Sequence, residues 1–167
     1  MKGIARAVNN TRLFLLSSWL GAAVFFSVVV APAVFGTLHA FNVMNANEIA
    51  GTIVTRSLAV INVSGFVIGL IALAVTLIAE GIKHQLSYFL TNAAFLVIAV
   101  STGTGQWVIA AKMRALRVSM VVIDQVPFDD ARRVAFNNLH HYSVILLGTA
   151  MCAAIAAIFL TRVRPAE

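Results

Sequence analysis

Residues 128–148 read FDDARRVAFNNLHHYSVILLG: two aspartates and two arginines pass through paired amides and paired histidines into an apolar segment. The apolar character continues to Thr161, so residues 134–161 exceed the roughly 20 helical residues needed to cross about 30 Å of hydrocarbon. Residues 13–35, 57–79 and 86–111 meet the same requirement. A chain at that depth must satisfy its own backbone hydrogen bonds, which a helix does. The sequence therefore predicts an all-α integral membrane protein, an antiparallel four-helix bundle with helices over 12–40, 51–80, 86–124 and 129–162. The third and fourth helices are expected to extend beyond the membrane, because no Gly or Pro stops the third until Pro127. These spans leave little chain for a separate soluble unit, and residues 1–167 are read as one domain.

The composition excludes the soluble globular class: 60% of residues are hydrophobic and 11% charged, with mean hydropathy +0.93. A net charge of +6 would point to nucleic acid in a soluble protein. Here the twelve Lys and Arg flank the apolar runs, so lipid headgroups of the bilayer are the expected anionic partner, and nucleic acid is not. Cys152 stands alone, which excludes a disulfide framework and a Cys-x-x-Cys site. Lys2, Arg6 and Arg12 before an apolar run and Ala31-Pro32-Ala33 imitate a secretory signal. The run is longer than the apolar core of about 7 to 15 residues that such signals carry, so a retained helix is expected.

Expected packing faces are Trp19 and Gly21 with the small residues Ser17, Ser18, Ala22 and Ser27 in the first helix, Gly65, Gly69 and Ala72 in the second, and Gly148, Ala150, Cys152, Ala154 and Ala157 in the fourth. Pro32 is expected to kink the first helix, and residues 36–51 to form the first loop. Asp129 or Asp130 can cap the fourth helix. Four crossings place both termini on one side. Cations divide six against six between the two sides, but the first helix is flanked by three before it and none after it until Arg56. That asymmetry predicts both termini in the cytoplasm, and a bacterial cytoplasmic membrane is the expected location.

With this topology the extracytoplasmic helix ends gather His39, Arg56, Gln106, Trp107, Asn137, His140 and His141, with Asn62 further in. An intramembrane Arg costs about 2.5 to 3.5 kcal/mol on translocon scales, so Arg56 is expected to meet an acceptor or face water. Adjacent His140 and His141 stand about 100° apart around a helix and cannot ligate one ion from one face. His141 shares a face with Asn137 and Asn138. No metal site is expected, since the segment lacks Cys, a carboxylate in the same turn and an H-E-x-x-H pattern. Thr102-Gly103-Thr104-Gly105 lacks Walker spacing and a following Lys, which leaves close helix packing. No acid lies where it could orient a histidine for nucleophilic catalysis.

F-N-N-L-H-H-Y-S at 136–143, preceded by P-F-D-D-A-R-R, resembles the signature of a small four-helix membrane family, the domain of unknown function 4149, to which the eukaryotic transmembrane protein 205 is similar. A-P-A-V-F at 31–35, Arg56 and Gln106-Trp107 belong to the same resemblance. It implies a four-helix architecture over nearly the whole chain and no assigned reaction, with Arg56, Gln106, Asn137 and one of the two histidines as motif positions. The layout is more distantly similar to copper-resistance D-type proteins and membrane-embedded haem-pathway oxidases, whose histidines lie within the membrane; fold analogy alone licenses no function.

Three functions follow as expectations. The first is a non-enzymatic protein without cofactor that binds a small ligand through the polar cluster. The second is a haem or copper protein using His39 with His140 or His141. The third is a structural or assembly subunit of a larger membrane complex, or a homo-oligomer.

Overall fold

In the computed structural model of the chain, residues 2–80 and 85–163 are described. The expected short connection with Lys83 and His84, and the terminal Arg164, lie outside them. The described residues form six α-helices: α1 (Lys2–Phe25), α2 (Ala31–Ala40), α3 (Ala46–Glu80), α4 (Leu86–Gly103), α5 (Ala110–Met120) and α6 (Ala131–Val163). A π-helical turn, Phe26–Val30, joins α1 to α2, and another, Thr104–Ile109, joins α4 to α5, so each pair forms one continuous rod. Four rods are long and apolar enough to cross a membrane: Ala7–Ala40, Ala46–Ile78, Leu86–Met120 and Ala131–Thr161. Large apolar side chains such as Phe14, Val28, Ile78, Phe89 and Phe159 point outward, as lipid contact requires.

The core follows helical periodicity. Leu16, Trp19, Ala23 and Phe26 recur at three- and four-residue spacing and are buried on one face of the first rod; Ala150, Ala154 and Ala157 do the same in α6. Phe95 and Ile98 of α4 are fully buried between them. Trp19 lies across Gly65, where an added Cβ would stand 2.7 Å from the indole ring, and its Nε1–H donates to the Ile61 carbonyl at 2.9 Å. Gly69 meets α4 backbone to backbone: its Cβ would be 3.0 Å from the Ala99 nitrogen. Gly51, Asn62 and Gly69 of α3 meet Arg117, Gly105 and Ala99 of the third rod, pairing the two sequences in opposite order.

Several expected details change. Ser17, Ser18, Gly21 and Ala22 are exposed, and nothing lies within 4 Å of a Cβ at Gly21; the packing face of α1 is its large residues, because Trp19 fills the notch that Gly65 provides. Cys152 is likewise exposed. The first rod starts at Lys2 rather than near Arg12. Arg12 is buried inside the helix, where its guanidinium donates to the Thr76 hydroxyl and to Asn9 Oδ1 and lies 5.5 Å over the Phe95 ring.

The expected loop over 36–51 shrinks to residues 41–45, turned by Asn42 and Asn45 at positive φ. The Pro32 kink takes a specific form. Proline cannot donate to the fourth preceding carbonyl and its ring crowds that group, and the chain widens into the π turn just ahead of it, the Ala31 N–H reaching back to the Phe26 carbonyl. The third rod stops at Met120, not near Asp124, because Val121 swings to φ 62. What outweighs helix propensity there is tertiary: Ile123 and Val126 bury against Met120, Leu116 and Phe136. The fourth rod begins at Ala131, with Asp130 as its cap.

Candidate functional site

The Asp124 carboxylate accepts from the Glu48 backbone N–H at 3.0 Å and from Asn47 Nδ2 at 2.6 Å. It thus supplies an anion to the open N–H groups and positive dipole end of α3 from 76 residues away. Glu48 in turn accepts from the Ile123 N–H at 3.3 Å and pairs with Arg117 at 3.6 Å. The Arg117 guanidinium packs against Gly51 and lies 5.5 Å over the Phe136 ring. This frame fixes the mouth of a pocket enclosed by α3, the second π turn, α5 and α6.

The pocket holds about 60 Å³ and is lined by Asn62, Gln106, Arg114, Arg117, His140 and Ser143, together with apolar neighbours. The π turn sets Gln106 there. Gly105 packs on Asn62, where a Cβ would meet Nδ2 at 3.4 Å, and Trp107 turns outward to meet Phe66 edge-on at 4.8 Å. Asn62 is 4% exposed and Ser143 8%, and neither has a hydrogen-bond partner among the described residues. Gln106 Oε1 is also buried without a partner. A buried polar group left unpaired costs about 1 to 3 kcal/mol, and Gln106 Oε1 lines the same small space as Asn62 and Ser143.

This space is deeper than the helix ends. Asn62 lies sixteen residues beyond Ala46, about 24 Å along α3 at 1.5 Å per residue. Val54, Leu58, His140 and Ser143 belong at once to the pocket and to a larger apolar groove of about 470 Å³, which runs between the first rod and α6 past Phe35, Leu147 and Gly148.

Of the seven side chains grouped by the sequence, Gln106 and His140 share the pocket. Arg56, Asn137 and His141 are exposed and line neither cavity, and Trp107 is on the outer face. His140 and His141 diverge, with ring centroids 6.5 Å apart. His39 is exposed and bonded to Asn47 at 3.1 Å, which ties it to the Asp124 frame. Among the described residues no three His, Cys, Asp or Glu side chains converge as a metal site would need.

Sequence reading missed Ser143 and Arg117 and gave Asn62 a minor place. Ser143 was findable, since it follows His140 by three positions and so shares its face. Arg117 pairs with Glu48 of α3 rather than with an aspartate of the connection that follows it. Arg132 does pair with an aspartate of that connection, 2.8 Å from Asp130. Asp130 Oδ1 also accepts from the Arg132 backbone N–H at 2.8 Å. The Arg132 side chain, followed by its N–H, holds the Asp130 carboxyl down to about 2 from 3.8.

The chain matches the domain of unknown function (DUF4149) over residues 14–122, more than half its length, and belongs to that family. The match covers APAVF, Arg56, Asn62 and Gln106-Trp107 and ends before the FNNLHHYS run. No curated protein and no solved structure matches the chain.

Proposed function

We propose that this member of the DUF4149 family is a non-enzymatic integral membrane protein that binds a compact polar ligand in the pocket between α3, α5 and α6. One observation carries the reading: Gln106 Oε1 is buried without a partner and lines the same space as Asn62 and Ser143, buried residues with no hydrogen bond among the described residues. A folded chain tolerates such groups where another molecule completes their hydrogen bonds. The amides and the hydroxyl offer both donors and acceptors, and Arg114 and Arg117 add positive charge without an acid in the lining. No carboxylate and nucleophile meet there, which favours binding over turnover.

In the same reading both termini are cytoplasmic, on the cation asymmetry of the first helix. No resident cofactor is part of it, and the absorption spectrum and metal content of purified protein check that. The binding test is a titration of the unfolding midpoint in mild neutral detergent with inorganic phosphate, acetate and ammonium salts at fixed ionic strength. A saturable rise with one of them in the wild type, lost in Asn62→Leu and Gln106→Leu, is expected. Equal responses in all three proteins would remove the pocket from function.

A further inference from the structure

The pocket and the apolar groove adjoin, and Val54, Leu58, His140 and Ser143 line both. Their characters differ sharply. The pocket gathers two guanidiniums, two amides, an imidazole and two hydroxyls; the groove beyond His140 and Ser143 is walled by Phe26, Pro32, Phe35, Val144, Leu147 and Met151. We infer that the occupant of the combined space is a phosphate-headed amphiphile, its head in the pocket and its hydrocarbon chain in the groove along α6. The inference rests on the ligand-binding reading above and specifies its ligand.

Three physical arguments lead there. The first is size: a site needs about 10 to 15 Å³ of such volume per water, so about 60 Å³ matches a group of roughly four or five heavy atoms, such as a phosphate. The second is charge. The lining has two arginines and no acid. Glu48 offsets Arg117, while Arg114 has no ion pair among the described residues. Guanidinium favours phosphate oxygens through paired N–H bonds, and the Asn62 and Gln106 amide N–H groups and the Ser143 hydroxyl can donate to the same oxygens. The third is the groove itself. A free anion would use only the pocket, whereas the groove adds about 470 Å³ of apolar space lined in part by the same residues. A chain buried there gains about 0.8 kcal/mol per methylene relative to water, and bilayer lipid gives it a route of entry that needs no passage through water.

Gly148 supplies the test. It lines the groove and not the pocket, and nothing stands within 4 Å of a Cβ there, so Gly148→Leu fills the groove without disturbing the fold or the polar groups. The unfolding midpoint of the full chain in neutral maltoside detergent is titrated with dodecyl phosphate and, separately, with inorganic phosphate. In the wild type dodecyl phosphate is expected to raise the midpoint saturably. The half-saturating concentration is expected to be at least about tenfold higher in Gly148→Leu, a change of 1.4 kcal/mol, with the inorganic phosphate response unchanged. Arg114→Gln, at an exposed position, is expected to weaken dodecyl phosphate by a similar factor and tests the charge argument independently.

An undiminished dodecyl phosphate response in Gly148→Leu, or a wild type that responds to inorganic phosphate alone, would overturn the amphiphile and leave the pocket reading intact. A dodecyl phosphate response that survives Gln106→Leu and Asn62→Leu would overturn both.

Discussion

Ile61 and Asn62 are consecutive residues of α3 that face opposite kinds of packing. The Ile61 carbonyl accepts from Trp19, and around it Gly65 and Gly69 bring α3 against the indole of α1 and the backbone of α4, with no space left. Asn62, about 100° further round the helix, packs on Gly105 and lines a pocket with Gln106, whose Oε1 has no partner, and Ser143. One side is a steric lock in which Gly65 takes the Trp19 ring and Gly69 takes the backbone of α4. The other keeps space open and leaves hydrogen-bonding capacity unused. Without a hydrophobic force between helices in lipid, close packing is what holds such a bundle. The lock can therefore carry stability, while the pocket is free to serve binding.

The sharpest way to break this contrast is to add one methyl group to the lock. Gly65→Ala places a Cβ 2.7 Å from the Trp19 ring, and overpacking of a filled contact costs about 1 to 3 kcal/mol. The unfolding midpoint in detergent should fall accordingly, while Gly21→Ala, with open space at its Cβ, should leave it unchanged or slightly higher. Equal effects at the two positions would show that the Trp19 contact is not a lock.

A smaller loss, about 1 to 2 kcal/mol as for other lost N-terminal caps, is expected for Asp124→Ala. It removes the acceptor for Glu48 N–H and Asn47 and so loosens the frame at the pocket mouth. Hydrogen exchange should then quicken at the start of α3 and stay unchanged around Gly65. Exchange that quickens at both would mean that lock and pocket are one cooperative unit.

Gln106→Leu tests the pocket side directly and should shift stability by no more than about 1 kcal/mol, in the stabilising direction, since Oε1 has no partner to lose. A clear destabilisation would make Gln106 a structural group. The smallest effect is electrostatic. The Asp130 pKa is lowered to about 2 from 3.8, so the contribution of this cap is complete above about pH 3.8 and fades as the pH falls through 2. The midpoint difference between wild type and Asp130→Asn should shrink over that interval, and a difference independent of pH would separate the cap from its charge.

Among the expected elements, the four spans were legible because the bilayer demands long apolar helices whatever their neighbours do. Gly65 and Gly69 were legible as packing positions for a related reason: small residues at four-residue spacing admit a backbone. Gly21 obeyed the same pattern and failed, because the pattern records what a helix permits and not which partner arrives. The polar cluster was legible as a set of residue types. Its membership was not, for Asn137, His141 and Arg56 share the chemistry of Asn62 and His140 but point elsewhere.

By itself, then, the sequence determined that the chain is helical and suited to a membrane, since length and hydropathy act segment by segment. It also determined that polar groups must be rationed within the spans, since each has a cost in hydrocarbon. Only the tertiary structure decided where the third rod ends, which carboxylate caps α3, that Arg12 lies buried on Phe95, and that Gln106, His140, Asn62 and Ser143 share a pocket. Those outcomes depend on contacts between residues tens of positions apart and on two π turns that rotate a helix face. Local periodicity carries no record of either.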